Sequence, residues 1–572
     1  MPHAEEARTK FDFIVVGGGP AGCVVASKLA RSPKAPHVLL LEAGGSSMDG
    51  NAFFLADRYN NFMTFPDYNW GYKSAPQKHL NGRQIDYSRG RGLGGSSRIN
   101  FACYTIGPKH DYDHWADLVG DDFFNWENSR RRFNTIESYQ LDIDSKYKKY
   151  ADPSQAEHGK SGPLSVSFPK LWERGLSETI DAFKENGNPI NTDINSGDPI
   201  GFGICPSTSS KGLRMTSATA FLKNPPDNLT IITESPTTKI LMDNDLVTGV
   251  IAGGKEYFAS KEVIICAGAL DTPKILKLSG IGPKAELGKH NIECTHDVPG
   301  VGENLQDHWY IPLTVQLKPG GDDRPSVLND PEVLQAAKTQ FLKDGTGPIS
   351  VLFNAINMGW WRPSAELQQT EEFKSLSEDV KKHIRYPTIP TFEVTSHTPT
   401  FTPLADPAQS YLTFLVLGMT PQSCGTVTLA SSDPKEAPIC DPNLFSSAFD
   451  RKNLLEATRI AWSVMSSPSL AKDTVSTLSA PKSMSDEDIM QHARETAGTT
   501  WHMSCTAKMG KPEDEMAVVD THFRVKGLVG LRVADMSVTP FVPNCHTMAV
   551  AYQIGEMAYE RLAAEYGLNI CD

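Results

Sequence analysis

The sequence predicts an α/β fold (α+β overall), with a Rossmann-like nucleotide-binding domain and a second domain built on an antiparallel sheet flanked by helices. Three observations predict it. The apolar run Phe11–Val16 leads directly into a glycine cluster and a helix-like segment. A second apolar run, 37–41, ends at Glu42. The chain has 572 residues, and a single hydrophobic core stops growing at roughly 250–300 residues, so we expect more than one compact unit.

Composition narrows the class of protein. Hydrophobic residues make up 39% and charged residues 22% of the chain, as in ordinary globular proteins. The formal net charge of -13 argues against nucleic acid as a partner. No apolar run reaches the roughly 20 residues that span a bilayer, so no membrane partner is expected. The first residues carry no signal peptide, which predicts a cytoplasmic protein, although a chain whose leader had been trimmed would look the same.

The first glycine cluster predicts a dinucleotide site. Gly17, Gly19 and Gly22 form G-x-G-x-x-G between a strand-like run and a helix-like segment. Glycines at this turn let a diphosphate reach the free N–H groups at the helix N-terminus. Glu42 follows the second strand 20 residues after Gly22, where a carboxylate hydrogen-bonds ribose hydroxyls and repels a 2′-phosphate. NAD or FAD is therefore favoured over NADP; the alternative is a tight turn without a ligand.

A second glycine-rich stretch, GRGLGGSSRIN over 90–100, favours FAD over NAD. An NAD domain needs no second glycine loop. A flavin ring is flat and bulky and must be approached closely by backbone, which suits Gly94 and Gly95.

With this loop, the chain resembles the glucose–methanol–choline (GMC) flavoprotein oxidoreductases from end to end. The loop is similar to the first family signature. GALDTPKILKLSGIG (268–282) is similar to the second signature, and PGVGENLQDH (299–308) to the next landmark. The C-terminal block VKGLVGLRVADMSVTPFVPNCHTMAVAYQIGEMA also resembles the family. Four blocks in the family order make a chance match negligible.

The resemblance implies a discontinuous domain organisation. An FAD-binding domain is expected over 10–100, 211–310 and 500–572, and a substrate-binding domain over 101–210 and 311–499. The runs 262–267 and 531–534 read as further strands of the nucleotide-binding sheet. The alternating segment 425–434 is expected to be a strand of the substrate-domain sheet.

The resemblance also implies a catalytic base. The family motif H-P-x-G-T-x-x-M-G corresponds to HMSCTAKMG here, with His502 at the place of the base. A neutral histidine suits this role because its ordinary pKa lies near working pH. Met503 replaces the proline and Cys505 the glycine, which puts the shape of the loop in question. The alternative for His502 is a core histidine.

His546 stands where family members carry His or Asn as a second donor to the substrate oxygen. Formate oxidases, which the chain also resembles, have arginine at this place, and a carboxylate substrate is expected to need that fixed charge. The histidine therefore favours a neutral alcohol over formate.

The family implies further cofactor contacts, each expected at the flavin or the diphosphate: Ser96, Asn100, Asp535 and Thr547. For Asn100 the alternative is a polar residue that closes its own turn. A helix beginning near Thr547 is expected to point its positive end at the flavin. Members that attach FAD covalently carry histidine where Ile99 stands, so non-covalent FAD is expected.

Two cysteines and four aromatic residues each leave two interpretations open. No CxxC pair occurs among the ten cysteines, so no metal site is expected. Cys505 and Cys545 flank the proposed site and are either redox-active or inert. Four aromatic residues are either a pocket roof, which would favour aryl or unsaturated alcohols, or core: Trp360, Trp361, Tyr386 and Phe392.

The expected function is therefore FAD-dependent oxidation of a primary, possibly aromatic, alcohol or related CH–OH donor. His502 takes the hydroxyl proton, hydride passes to flavin N5, and O₂ or another acceptor reoxidises the flavin. The alternative is a non-redox lyase or cyclase of the same fold, with the same histidines as acid and base.

Overall fold

The computed structural model describes residues 10–46, 53–54, 58–59, 65–141, 143–169, 171–321, 324–351, 355–397, 400–401, 405–406 and 408–568. Strands and helices are both found along the whole of the described chain.

The strands are β1 Lys10–Val16, β2 Val38–Leu41, β3 Glu137–Tyr139, β4 Leu164–Ser167, β5 Gly201–Cys205, β6 Ser207–Ser210, β7 Leu213–Arg214, β8 Leu229–Ile232, β9 Thr237–Asp243, β10 Leu246–Ala252, β11 Lys255–Ile265, β12 Ile281–Gly282, β13 His296–Asp297, β14 Trp309–Leu317, β15 Ile356–Trp361, β16 Phe392–Ser396, β17 Tyr411–Gly418, β18 Thr426–Thr428, β19 Ile439–Asp441, β20 Thr474–Ser479, β21 Gly498–Thr499 and β22 Leu531–Val533.

The α-helices are α1 Pro20–Arg31, α2 Lys109–Val119, α3 Trp126–Ile136, α4 Leu176–Glu185, α5 Ser217–Phe221, α6 Gly268–Leu278, α7 Lys284–Lys289, α8 Pro325–Leu328, α9 Pro331–Asp344, α10 Ala365–Gln369, α11 Glu371–Lys374, α12 Glu378–Arg385, α13 Ala448–Met465, α14 Pro468–Ala471, α15 Asp486–Thr496 and α16 Met548–Tyr566.

The nucleotide-binding sheet has the order β8-β2-β1-β11-β10-β9, with β22 paired to β11. The strands β8, β2, β1, β11 and β22 run parallel. All four residues of β2 are buried, as expected for a parallel strand covered on both faces. Because the strands are parallel, their carboxyl ends meet at one edge, where ligands of open α/β sheets bind.

Two helices meet closely behind that edge. Gly555 of α16 approaches α1 so closely that an added Cβ would lie 2.5 Å from the Ala21 carbonyl oxygen and 2.9 Å from the Val24 Cβ. The N-terminal residues of both helices, Pro20 and Met548, line the same cavity. This crossing therefore sets the positions of both helix N-termini.

The second large sheet is antiparallel, with the order β20-β14-β17-β16-β15-β5 and β21 paired to β14. The prediction that residues 425–434 form a strand of this sheet was wrong about the sheet to which the strand belongs. The strand exists as β18, but it pairs with β19 in a separate two-stranded sheet. Alternating hydrophobicity predicts a half-buried strand and carries no information about its neighbour.

The predicted α/β fold class is confirmed by these two sheets. The division into two discontinuous domains stays a prediction. Within the described part of the chain, no helix is long and apolar enough to cross a membrane.

We expect Gly555→Ala to destabilise the protein, since overpacking a tight contact typically costs about 1–3 kcal/mol. Gly288→Ala is the matched control. Gly288 also lies in a helix, but an added Cβ there meets nothing within 4 Å. Alanine should raise helix stability at Gly288 by up to about 1 kcal/mol. Thermal unfolding followed by circular dichroism compares the two, and equal midpoints would contradict the close helix crossing.

Candidate active site

The first glycine turn combines two tight positions with one open position. A Cβ on Gly17 would lie 2.4 Å from the Cys266 carbonyl oxygen, and one on Gly22 would lie 1.9 Å from the Gly17 carbonyl oxygen. A Cβ on Gly19 meets nothing within 4 Å, and this residue lines a large cavity before α1. The turn thus leaves the N-terminus of α1 open on the cavity side, as a diphosphate requires.

Glu42 follows β2 and lines the same cavity. Its Oε2 accepts the Gly18 N–H at 2.8 Å, and its Oε1 accepts the N–H groups of Gly44 and Gly92 at 2.8 and 2.9 Å. The carboxylate therefore holds the two glycine loops together. Its contact with a ribose stays a prediction.

The second glycine loop lies directly on the first. A Cβ on Gly95 would be 2.6 Å from the Gly19 Cα, so only glycine allows this approach. Gly95 and Ser96 line the cavity, and the Ser96 Oγ accepts the Gly90 N–H at 3.1 Å. Gly94 does not line the cavity; its N–H donates to the Gly18 carbonyl.

Asn100 lines the cavity and also closes its own turn. Its Oδ1 accepts the Ala102 N–H at 3.0 Å and an Arg214 N–H at 2.9 Å. Both interpretations of Asn100 are thus compatible with its position. Ile99 lines the cavity as well.

Asp535 and Thr547 complete the predicted cofactor contacts. Asp535 Oδ2 accepts the Gly268 N–H at 2.9 Å and the Thr272 hydroxyl at 2.6 Å. Burial raises the pKa of this carboxyl, and these hydrogen bonds work against the rise. Thr547 is the N-cap of α16. Both residues line the cavity, in agreement with the expected helix start near Thr547.

One cavity of about 1020 Å³ is lined by both glycine loops and by both predicted catalytic histidines. This is at the upper end of the roughly 300–1,000 Å³ typical of ligand pockets. The open positions at Gly19 and Gly268, where a Cβ would meet nothing within 4 Å, leave backbone accessible to a ligand. The residues present therefore fit a long dinucleotide such as FAD.

His502 is held through one ring nitrogen. Its Nδ1 lies 2.9 Å from both the His308 Nδ1 and the Thr500 Oγ1, and its backbone N–H donates to Asp307 Oδ1 at 2.8 Å. Its Nε2 makes no hydrogen bond to any described residue. With the proton on Nδ1, the Nε2 lone pair is free to act as a base.

Burial lowers the pKa of His502 well below its usual value, and the positive charge of His546 acts in the same direction. Burial also lowers the pKa of His308 to about 3. Both rings are therefore neutral at neutral pH. The sequence did not predict His308, although it closes the recognised block 299–308.

His546 has the opposite charge state. Its Nε2 lies 3.0 Å from Glu393 Oε1 and 3.3 Å from Glu393 Oε2. Burial works against the charge, but the carboxylate of Glu393 raises the pKa of His546 to about 10. The ring centroids of His546 and His502 are 5.0 Å apart. The cavity thus holds a neutral and a protonated imidazole side by side.

The loop around His502 contains two residues in the left-handed region of backbone conformation. Cys505, where the family has glycine, adopts φ +76°, and Trp501 adopts φ +59°. A side chain in this left-handed region costs about 1–2 kcal/mol. Hydrogen bonds from the Cys505 N–H to the Met536 carbonyl and from the Ser504 N–H to the Gln306 carbonyl hold the loop in place.

Of the two interpretations of Trp360, Trp361, Tyr386 and Phe392, the structure favours core packing over a pocket roof. Trp361 stacks on Phe392 with ring centroids 5.2 Å apart, Tyr386 stacks on His110, and Trp360 is buried in a core cluster. A different set of aromatic side chains lines the cavity: Tyr59, Trp70, Tyr72, Phe101, Tyr310, Phe401 and Trp501.

Cys505 and Cys545 do not line the cavity. Burial raises the pKa of both thiols, which is typical of inert cysteines. No group of three or more His, Cys, Asp or Glu side chains in the described ranges is arranged to hold a metal ion.

Comparisons with known proteins identify the family. The sequence model of the N-terminal GMC oxidoreductase domain matches residues 11–310, and that of the C-terminal domain matches 421–555. An oxygen-dependent choline dehydrogenase of Pectobacterium atrosepticum is 32% identical, over 97% of this chain and 94% of its own. One of Serratia proteamaculans is also 32% identical, over 97% and 96%.

Solved structures agree. A point variant of formate oxidase from Aspergillus oryzae RIB40 has a TM-score of 0.87 at 28% identity, covering 98% of this chain and 99% of that one. A fungal aryl-alcohol oxidase has a TM-score of 0.84 at 26% identity, covering 98% and 100%. The resemblance predicted from the motifs is confirmed: the chain belongs to the GMC oxidoreductase family, whose members are FAD-dependent oxidoreductases that act on CH–OH donors.

Proposed function

We propose that this protein oxidises a primary alcohol with non-covalently bound FAD, and that O₂ or another acceptor takes up the electrons. The observation that carries the proposal is the pair of His502 and His546, of which His546 has a carboxylate, Glu393, bonded to its ring and His502 does not. They line one cavity with both glycine loops, their ring centroids 5.0 Å apart. Alcohol oxidation requires a base that takes the hydroxyl proton and a cationic donor that stabilises the negative charge on the same oxygen.

Backbone and side-chain groups that line the cavity would hold FAD. The N-terminus of α1 and the glycine loops would take the diphosphate, and Glu42 the ribose. When bound, FAD supplies the ring that accepts hydride from the alcohol carbon. The N-terminus of α16, at Thr547 and Met548, favours negative charge in the same part of the cavity.

His502 acts as the base in this proposal. Its Nδ1 proton is held by the His308 Nδ1 or the Thr500 Oγ1, so its Nε2 receives the hydroxyl proton. His546, kept protonated by Glu393, donates to the same substrate oxygen and stabilises the alkoxide as it forms. Glu393 is a positioning residue, since it acts through His546.

The charge balance favours a neutral or cationic substrate over a carboxylate. His546 is cationic, but the carboxylate of Glu393, with its nearer oxygen 3.0 Å away, offsets that charge. In contrast to an unpaired arginine, the pair offers little net attraction to an anion.

The aromatic lining gives two substrate candidates. Aromatic faces attract quaternary ammonium groups and also stack on aryl rings. Because the sequence relatives are named choline dehydrogenases, a choline-type alcohol is the first candidate. An aryl alcohol is the second, in line with the aryl-alcohol oxidase neighbour.

We expect His502→Ala to retain FAD but to reduce it about 10²–10⁴ times more slowly, because the general base is lost. The measurement is anaerobic stopped-flow absorbance of bound flavin after mixing with choline, benzyl alcohol and short aliphatic alcohols. His290→Ala, outside the cavity lining, is the control. If no alcohol bleaches a flavin that dithionite reduces normally, the redox proposal fails and the lyase or cyclase alternative takes its place.

The rate of flavin reduction should be insensitive to pH between about 6 and 9. The pKa of His502 is lowered, so its base form persists into acid; the pKa of His546 is raised to about 10, so its donor proton persists into alkali. Glu393→Gln removes the cause of the raised pKa. In this variant, the fall in the rate of flavin reduction at alkaline pH should begin at a lower pH than in the wild type, while FAD content stays unchanged. An alkaline limb at the wild-type position would show that Glu393 does not control His546.

Because Ile99 cannot form the histidyl bond, acid precipitation should release all of the flavin. The measurement is absorbance of the supernatant and of the redissolved pellet after trichloroacetic acid treatment. A pellet that stays yellow after washing would contradict non-covalent binding. Free FAD added to unrelated precipitated protein controls for trapping.

A further inference from the structure

One wall of the cavity is formed by the antiparallel sheet. Its strands β15, β16 and β17 contribute five residues to the cavity lining: Ile356, Met358, Thr395, Leu415 and Leu417. Four of these residues are apolar, and Thr395 is polar. Thr395 lies opposite Met358 on β15 and opposite Leu415 on β17. Because residues directly opposite each other in neighbouring strands share a face of the sheet, Thr395 faces the cavity between these two apolar side chains.

The hydroxyl group of Thr395 is buried without a hydrogen-bond partner. The residue is 3% exposed, and its Oγ1 makes no hydrogen bond to any residue in the described part of the chain. Its cross-strand neighbours offer a thioether, which is only a weak acceptor, and an alkyl group. A buried hydroxyl without a partner costs free energy, and folded proteins leave few of them. Since this hydroxyl faces a cavity, a ligand in the cavity can supply the missing partner.

The position of Thr395 relative to the two histidines follows from the strand. Glu393 is two residues before Thr395 on β16, so both side chains lie on the same face of the sheet. Glu393 binds His546 Nε2 at 3.0 Å, and two residues of an antiparallel strand span roughly 7 Å. A molecule whose alcohol oxygen lies between His546 and His502 can therefore extend along the apolar wall to Thr395.

We propose that Thr395 is a specificity-determining residue, which selects a primary alcohol that carries a second, neutral oxygen away from the carbon to be oxidised. The Thr395 hydroxyl donates a hydrogen bond to that oxygen, and the apolar wall packs on the carbon atoms in between. The choice of an alcohol rests on the proposed function, in which His502 and His546 hold the reacting oxygen. A quaternary ammonium group cannot replace the second oxygen, because it has neither an N–H nor a lone pair. A choline-type alcohol meets the requirement only if it carries a further oxygen.

Four alcohols of equal chain length test the proposal: hexan-1-ol, 2-propoxyethanol, 3-ethoxypropan-1-ol and 4-methoxybutan-1-ol. In the three ethers, oxygen replaces one methylene group at successive positions. The FAD-loaded protein is mixed anaerobically with each alcohol, and the second-order rate constant of flavin reduction is divided by that for hexan-1-ol. In the wild type this ratio should be highest for 4-methoxybutan-1-ol, whose ether oxygen is farthest from the reacting hydroxyl and best matches the two-residue step along β16.

The variants at position 395 assign that preference to the hydroxyl group. Thr395→Val keeps the shape of the side chain and loses the hydroxyl, so it should lower the ratio for 4-methoxybutan-1-ol about tenfold, as expected for one hydrogen bond to a buried group. Thr395→Ser keeps the hydroxyl and should restore the ratio. The comparison with hexan-1-ol within each variant removes any general effect of the substitution on the rate.

Thr391→Val is the matched control. Thr391 is also buried, and its hydroxyl also lacks a partner among the described residues, but it does not line the cavity. This variant should leave every ratio at its wild-type value. Ratios that do not change in Thr395→Val, or that fall equally in both valine variants, overturn the proposal. An altered flavin absorbance in Thr395→Val with unchanged ratios would assign the hydroxyl to the flavin instead.

Equilibrium binding separates this proposal from the proposed function. Each alcohol is titrated into the FAD-loaded protein, and its dissociation constant is read from the perturbation of the oxidised flavin absorbance. If no alcohol reduces the flavin, the proposed function fails, and the proposal for Thr395 holds only if Thr395→Val weakens binding of 4-methoxybutan-1-ol about tenfold relative to hexan-1-ol. If the alcohols reduce the flavin with ratios that do not depend on Thr395, the proposal for Thr395 fails alone.

Discussion

The contact between Glu393 and His546 joins the two halves of the site. Glu393 lies on β16 of the antiparallel sheet, and His546 lies two residues before α16, which packs against α1. Glu393 is fully buried, so losing its partner would leave a charge without compensation, at a cost of about 3–5 kcal/mol. The same contact fixes the charge of His546. One ion pair therefore links the antiparallel sheet to the segment before α16 and also sets the charge within the cavity.

The second constraint is that His502 and His546 are too close to be charged together. Burial acts against charge on both rings, and only His546 has a carboxylate to oppose it. The environment thus separates the two pKa values, which is how a site obtains an acid and a base from one residue type. A third ring, His308, stays neutral, and its Nδ1 helps to hold the proton of His502 on the Nδ1 atom of that ring.

Local signals in the sequence predicted the fold and part of the site. Apolar runs that lead into Gly17, Glu42 and Asp535 predicted the parallel sheet. They also predicted the edge of the sheet at which a ligand binds, because the carboxyl ends of parallel strands lie together. Glu393 could not be predicted, since it is 153 residues from its partner and FEVTS reads as any buried strand. The pairing of β18 also depends on which strands become neighbours. Spacing along the chain does not carry that information.

Strained residues around the cavity show how strongly packing determines the backbone that carries the site. Ala102, Trp501 and Cys505 all adopt left-handed conformations, and each lies within three residues of a predicted or proposed site residue. Such conformations persist only where the surroundings determine them more strongly than local preference does. Cys505, for example, is held by the Met536 carbonyl and the Thr539 hydroxyl. The shape of this loop therefore comes from its packing, which holds Cys505 in a left-handed conformation without a glycine at that position.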